Sequence, residues 1–298
     1  MSLFRRFLAP LFALLLPACA PLVDAPPANA AETYHGPAIW EVADKDTTIY
    51  LFGTVHALPK ETAWFSGPVE RAYQQSNELV TEIPLGDTSG QATAIASRAL
   101  LPQGQSLRDL MNPEDRKQFE AALVSLGLPI EAMDRFQPWY AALTLSLLPV
   151  TQAGYDPQSG AETALNARSD DKAKAALETV DQQIELFEGL PQKAQLQFLD
   201  QTVESVSSAK TTLDAMVAEW MQGDPDGLAK LLNQDLNDKM LHKRLLTDRN
   251  ARWAQWIDGR LKQPGTVFIA VGAGHLAGKD SVQQQLRKLG IKARRVWQ

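Results

Sequence analysis

The chain has 298 residues, 45% of them hydrophobic, with a net charge of -6 and a pI near 5.3. That balance argues against nucleic acid as a partner, for which a basic face is expected. Cys19 is the only cysteine, so the chain beyond it holds neither a disulfide framework nor a thiolate metal site, and any metal would be held by His, Asp, Glu, Asn or water.

Residues 1 to 30 read as an export signal rather than as part of the fold. Arg5 and Arg6 give a short positive region, Phe7 to Leu16 an apolar core too short to span a bilayer, and Ala28-Asn29-Ala30 a small-x-small cleavage site. An exported, periplasmic protein with one domain over residues 31–298 is expected. Apart from its proline, Leu16-Pro17-Ala18-Cys19 looks like a lipoprotein cleavage box. Lipidation at Cys19, leaving a membrane-anchored lipoprotein, therefore stands beside cleavage after Ala30.

Ala38 to Val42 and Thr47 to Phe52 read as a hairpin whose second strand runs into Gly53-Thr54-Val55-His56. A helix near Gly67 to Ser76, with Pro68 in its first turn, and a strand from Glu78 to Ile83 complete a strand–helix–strand unit of a parallel sheet. Glu82 is then expected near the carboxyl end of a strand beside the one carrying His56. A carboxylate in an apolar strand is costly to bury unless paired, hydrogen-bonded or metal-bound, and an exposed glutamate at a strand end is the alternative reading.

Residues 86 to about 263 are mostly helical in pattern. Asn112-Pro113-Glu114-Asp115 caps a helix to Ser125, and Pro138 to Leu148 is apolar nearly all round, as in a buried helix. Further helices are expected at Gly160 to Asp170, Asp181 to Leu186, Pro191 to Met221, Asp224 to Asn237 and Asp238 to Gln263, with a short strand from Ala173. The chain returns to sheet at Val267 to Val271 and repeats the first motif as Gly272-Ala273-Gly274-His275. A helix capped by Asp280 and a closing strand from Ile291 to Val296 follow. The expected fold is α/β, a mixed, mainly parallel sheet formed by residues 38–85 and 264–298, with a helical cap over about 86–263.

Two of the four histidines thus share one context, Gly-x-x-His at the end of an apolar strand. Loops leaving the carboxyl ends of strands are where ligands collect in open α/β sheets. The glycines let the backbone turn sharply. Two neutral imidazoles with Glu82 could hold zinc, manganese or cobalt and acidify a bound water. Two histidines in a structural role are the plainer reading, and His35 and His242 read as surface residues.

The chain resembles the TraB/GumN family over roughly residues 38–298. The resemblance rests on Leu51-Phe52-Gly53-Thr54-Val55-His56 with Pro59, on Glu82 and on Gly272-Ala273-Gly274-His275. It extends to Gln137-Pro138-Trp139, Gly160-Ala161-Glu162, Leu177-Glu178-Thr179 with Gln182-Gln183, and Asp248-Arg249-Asn250 with Trp253. A common family form has Glu-Arg-Asn where this chain has Asp248-Arg249-Asn250. The resemblance implies an α/β core related to haem-binding and erythromycin-esterase folds and, from the animal Tiki relatives, a divalent-metal protease using its Gly-x-x-His motifs. Carried over, His56, Glu82 and His275 become metal or catalytic candidates, Glu82 either completing the metal shell or acting as general base, and Glu162 and Arg249 become pocket residues of the catalytic site, with Arg249 stabilising the developing oxyanion. Arg249 shares the buried helix face of Leu245, Leu246, Trp253 and Ile257, where a guanidinium needs a carboxylate partner, Glu162 or Glu82, or the substrate itself. The expected function is a metal-dependent hydrolase, of peptidase type, acting on a peptide or small-molecule substrate. A haem- or metal-binding protein without catalysis is the alternative.

Overall fold

The computed structural model describes residues 34–86, 88–235 and 238–297. The export-signal, cleavage-site and Cys19 lipidation readings fall outside these residues. Strands β1 (Ile39–Ala43) and β2 (Thr47–Thr54) form the expected antiparallel hairpin. Its turn is held by Asp44, whose Oδ1 accepts from the backbone N–H of Asp46 and Thr47. The two-residue β3 (Leu58–Pro59), helix α1 (Gly67–Gln75) and strand β4 (Glu78–Thr81) follow.

The middle of the chain supplies α2 (Thr88–Arg98), α3 (Pro113–Ser125), α4 (Pro138–Gln152), β5 (Tyr155–Asp156), α5 (Ala161–Asn166) and β6 (Ala173–Ala176). Then come α6 (Val180–Glu188), α7 (Gln192–Ser205), α8 (Ala209–Gln222) and α9 (Pro225–Asp235). A continuous helical run follows, made of α10 (Lys239–His242), a π-helical turn (Lys243–Thr247) and α11 (Asp248–Arg260). Strand β7 (Gly265–Gly272), a 3-10 turn (Ala273–Leu276), α12 (Val282–Lys288) and β8 (Arg294–Arg295) complete the chain.

The main sheet is six-stranded in the order β6-β4-β7-β2-β1-β8. Strands β6, β4, β7 and β2 run parallel, and β1 is antiparallel to both neighbours, so the sheet is mixed and mainly parallel as expected. Two neighbour relations differ from the sequence reading. β7 lies between β4 and β2, so Glu82 and His56 stand two strands apart. β6, from the middle of the chain, forms one edge.

Both faces are covered. Phe52, Phe268 and Leu79 pack with Trp64, Tyr73 and Trp220 on one face, while Leu51, Val80 and Ile269 pack with Trp253, Ile257 and Leu286 on the other. Each such side chain contributes about 1.5–3 kcal/mol through burial, which makes the sheet a rigid support for the loops at its ends. A separate apolar cluster joins α3, α4 and α7 through Phe119, Leu123, Leu145 and Leu199.

The long helix expected from Pro191 to Met221 is broken between α7 and α8. There Ser205 and Ser208 turn their hydroxyls onto the carbonyls of Gln201 and Ser205, offering the backbone an alternative to helical bonding. Helix α4 runs past Leu148 to Gln152, and Leu147 is exposed rather than buried. The last helix starts after Ser281, while the Asp280 carbonyl instead accepts from the Asn250 amide. Among the described residues no helix is long and apolar enough to cross a membrane.

Candidate functional site

Register brings the site together. Thr54 of β2 is paired with Gly272 of β7, Thr81 of β4 with Ala270 of β7, and Ala176 of β6 with Thr81. The carboxyl ends of four parallel strands therefore share one edge of the sheet, and His56, His275, Glu82 and Glu178 each follow within three residues of their strand's end. A Cβ built on Gly272 would lie 3.2 Å from Glu82 Oε1, 3.6 Å from His56 Nε2 and 3.7 Å from His275 Cδ2. Both histidines and Glu82 thus face one small volume. Gly272 has φ near -49°, a conformation open to any residue, so what glycine supplies here is room rather than a sharp turn.

Glu162 reaches this volume from α5 by way of a second close approach. The β3–β5 ribbon draws the loop after His56 against the start of α5, and Ala161 N–H donates to Val55 O at 2.9 Å. A Cβ on Gly160 would meet His56 O at 2.1 Å, so only glycine permits that contact. Glu162 Oε1 then lies 2.8 Å from His56 Nδ1 and also accepts from the Thr54 hydroxyl.

Arg249 is the hub of the other half. Its Nε donates to both oxygens of Glu178 at 3.0 and 3.1 Å. NH2 donates to Glu178 Oε2 at 2.8 Å and to Glu82 Oε2 at 2.5 Å, and NH1 to Leu245 O at 3.2 Å and to His275 Nε2 at 3.0 Å. All five N–H donors of the guanidinium are thereby engaged. The sequence led us to expect a carboxylate partner for a buried arginine, Glu82 or Glu162. Glu82 is one, Glu178 is the second, and Glu162 pairs with His56 instead.

The π turn widens the helix just ahead of Arg249 and Asn250, and such turns recur at functional sites. Asn250 Oδ1 lies 2.6 Å from His275 Nδ1, an arrangement in which Nδ1 carries the proton and Nε2 the lone pair. The Trp253 ring covers the same imidazole at 4.3 Å.

Three carboxylates crowd this cluster, and the exposed Arg252 also reaches one of them, Glu178, at 3.4 Å. Side chains of Glu82, Glu162 and Glu178 are only 13%, 13% and 4% exposed, against one equally buried guanidinium, Arg249. Burial holds His275 neutral, with its pKa pushed down to about 3. On Glu82, burial acts to raise the pKa but is outweighed by His275, Arg249 and His56, leaving it at about 2. The charge of Glu162 raises His56 to about 9, although that ring is 71% exposed and water screens part of the attraction. Each carboxylate thus has a positively charged neighbour, Arg249 for Glu82, Arg249 and Arg252 for Glu178, and His56 for Glu162.

Glu178, Asn250, Gln183 and Thr54 were not assigned roles from the sequence. Gln183 donates to Glu82 Oε2 at 2.9 Å. The signal for Glu178 was available, since it follows a short strand just as Glu82 does. Asn250 could not be found that way, because its link to His275 depends on how α11 packs on the sheet. His35 is exposed and His242 half-buried, both away from this cluster.

Residues 38–295 match the TraB/PrgY/gumN family. The chain belongs to this family. Among its relatives are a protein of Treponema pallidum (strain Nichols), 21% identical over 84% of this chain and 80% of the relative, and YbaP of Escherichia coli (strain K12), 24% identical over 85% and 93%. The zebrafish metalloprotease TIKI1 is 26% identical over 85% of this chain and 62% of its own length. No solved structure matches the chain.

Among the described residues no three His, Cys, Asp or Glu side chains stand ready as a metal cluster. The reason is Arg249, which takes the His275 lone pair and one Glu82 oxygen and so acts as the cation between them. The donor chemistry nevertheless fits a divalent ion. Each histidine has its Nδ1 tied to an oxygen acceptor, the arrangement that orients an imidazole for ligation through Nε2. Glu82 Oε1 lies 3.8 Å from His275 Nε2, so a carboxylate oxygen and an imidazole nitrogen border the same space.

Proposed function

We propose that this chain is a divalent-metal-dependent hydrolase of the peptidase type, acting outside the cytoplasm. The observation that carries the reading is the convergence of His56, His275 and Glu82 on the space beside Gly272, each held by a partner behind it. Kinship with proteins named metalloproteases supports the choice of reaction class.

In this reading His56 Nε2, His275 Nε2 and Glu82 hold the ion, which when bound would acidify a water and polarise the scissile carbonyl. Glu82 suits a ligand better than a general base. At a pKa of about 2 it is ionised but a weak proton acceptor, and a base works best with a pKa near the working pH. The Gly272 N–H, at 2.7 Å from Glu82 Oε1, and Gln183 fix that carboxylate. Most donors of Arg249 are committed to Glu82, Glu178 and Leu245 O, where it positions the carboxylates. The NH1–H that points at His275 Nε2 would be released when that nitrogen holds the ion, and a substrate oxygen could then accept it. His56, in the open half, is placed to meet the substrate. Overall, water adds its oxygen to the carbonyl carbon and its protons end on the leaving nitrogen and in solvent.

The test is to incubate tag-free protein with a peptide mixture and manganese, cobalt or zinc, and to read products by mass spectrometry. We expect cleavage that a chelator stops and added metal restores. Cleavage indifferent to chelator would refute metal dependence, and a Soret absorption band in the purified protein would favour the haem-binding alternative.

A further inference from the structure

Against His275 and Arg249 lies a cavity of about 510 Å³ that the hydrolytic reading does not use. Its wall is built from α4, α7, α8 and the helical run 239–260, with Leu145, Val150, Phe198, Leu213, Met216 and Leu246 as the main apolar surface. Arg249, Gly274 and His275 belong to the same lining, so the cavity opens onto the reacting groups rather than onto a remote surface.

The wall is also poor in hydrogen-bonding capacity. The hydroxyls of Ser146, Thr202 and Ser205 each donate to a carbonyl of their own helix, at 2.8, 2.8 and 2.9 Å. Apart from Arg249 and His275, Gln201 and Thr212 are the other polar side chains of the wall. A peptide entering such a space brings an N–H and a C=O for every residue, each costing about 1–3 kcal/mol if left without a partner. A hydrocarbon chain brings none. The volume is of the size that small-molecule sites have and exceeds what one methyl or methylene group needs.

We propose that this cavity receives an aliphatic acyl chain of the substrate, whose carbonyl group then lies against His275 and Arg249. The substrate class is thus an acylated molecule, either an acyl amide or an acyl ester. This rests on the hydrolase reading for its orientation, but chain binding itself needs neither metal nor turnover.

The experiment titrates the tag-free chain, in chelator, with the fluorescent fatty acid cis-parinaric acid and displaces it with saturated fatty acids of increasing length. We expect saturable binding of one probe per chain, with each two-carbon extension tightening competition roughly tenfold until the cavity is full. Met216→Gln, which adds polarity at similar volume, and Leu213→Trp, which fills the space, should each weaken binding at least tenfold. His35→Ala, exposed and outside the lining, should leave it unchanged. Competition by an N-dodecanoyl amide or by a dodecanoyl glycerol ester supports the proposal, and the stronger competitor assigns the source. Absence of binding at any chain length, indifference to both wall variants, or stronger competition by an apolar tetrapeptide would overturn it. Chelator-sensitive cleavage of short peptides with no fatty-acid binding would overturn this proposal alone, whereas binding without any hydrolysis would overturn only the hydrolase reading.

Discussion

The two Gly-x-x-His stretches leave adjacent strands at paired positions, Thr54 beside Gly272, yet end in opposite environments. The His275 side chain is 6% exposed, under Trp253 and between Asn250 and Arg249, whereas that of His56 is 71% exposed with Glu162 and Thr54 behind it. The same local sequence therefore fixes where the backbone leaves the sheet but not how deeply the side chain is set. Depth comes from what lies above: α11 covers the end of β7, whereas the end of β2 is bordered by the small β3–β5 ribbon, the start of α5 and Trp220 of α8, which leave the His56 ring exposed. One half of the site is a packed ion-pair network, and the other is an open wall.

The packed half should be much the more fragile. Replacing Arg249 with methionine leaves Glu82 and Glu178 buried without their common cation, and breaking a buried pair in this way costs about 3–5 kcal/mol. Urea unfolding should show a fall of that size. Arg249→Lys should lose less but still lose stability, because an ammonium cannot serve both carboxylates, Leu245 O and His275 together. A variant of either kind as stable as wild type would mean that the network contributes nothing.

The two histidines give the sharper contrast. His275→Ala leaves Asn250 Oδ1 and one Arg249 donor without partners and should cost about 1–3 kcal/mol in addition to abolishing hydrolysis. His56→Ala should change stability by no more than about 0.5 kcal/mol, as exposed substitutions do, while abolishing hydrolysis equally. Equal destabilisation by both changes would erase the distinction between the halves.

The smallest effect lies away from both. Burial on α7, with Asp115 and Glu204 nearby, raises Asp200 from 3.8 to about 6. A carboxyl whose folded pKa is raised binds its proton more readily in the native state, so its penalty is absent below the ordinary value and complete above about pH 6. Asp200→Asn should therefore raise the melting temperature at about pH 7.5 and lose that gain near pH 3.5. A gain that is the same at both pH values would contradict this account of Asp200.

Much of this arrangement was legible in the sequence. Apolar runs broken by glycine marked β2 and β7, Glu82 stood out as a carboxylate closing an apolar strand, and Glu162 and Arg249 entered through the family pattern, all three now within the cluster. What the sequence could not give was sheet order. A strand–helix–strand unit suggests that β2 and β4 are neighbours, but β7, some two hundred residues later, pairs with both. The pairing of Arg249 with Glu178 was hidden for the same reason, because Glu178 follows an edge strand only four residues long and of weak pattern. Nor does helical periodicity announce a π turn, which the chain places just ahead of Arg249.

The central claim is that the buried and the open histidine serve one cation. Titration of metal-free, tag-free protein with cobalt, zinc and manganese, followed by calorimetry and by metal analysis, tests it most directly. The account predicts one ion per chain in the wild type, with affinity lowered by about 100-fold or more in both His56→Ala and His275→Ala, since loss of a ligand should cost at least as much as the 10–100-fold typical for its supporting partners. Unchanged stoichiometry and affinity in the double variant would contradict it.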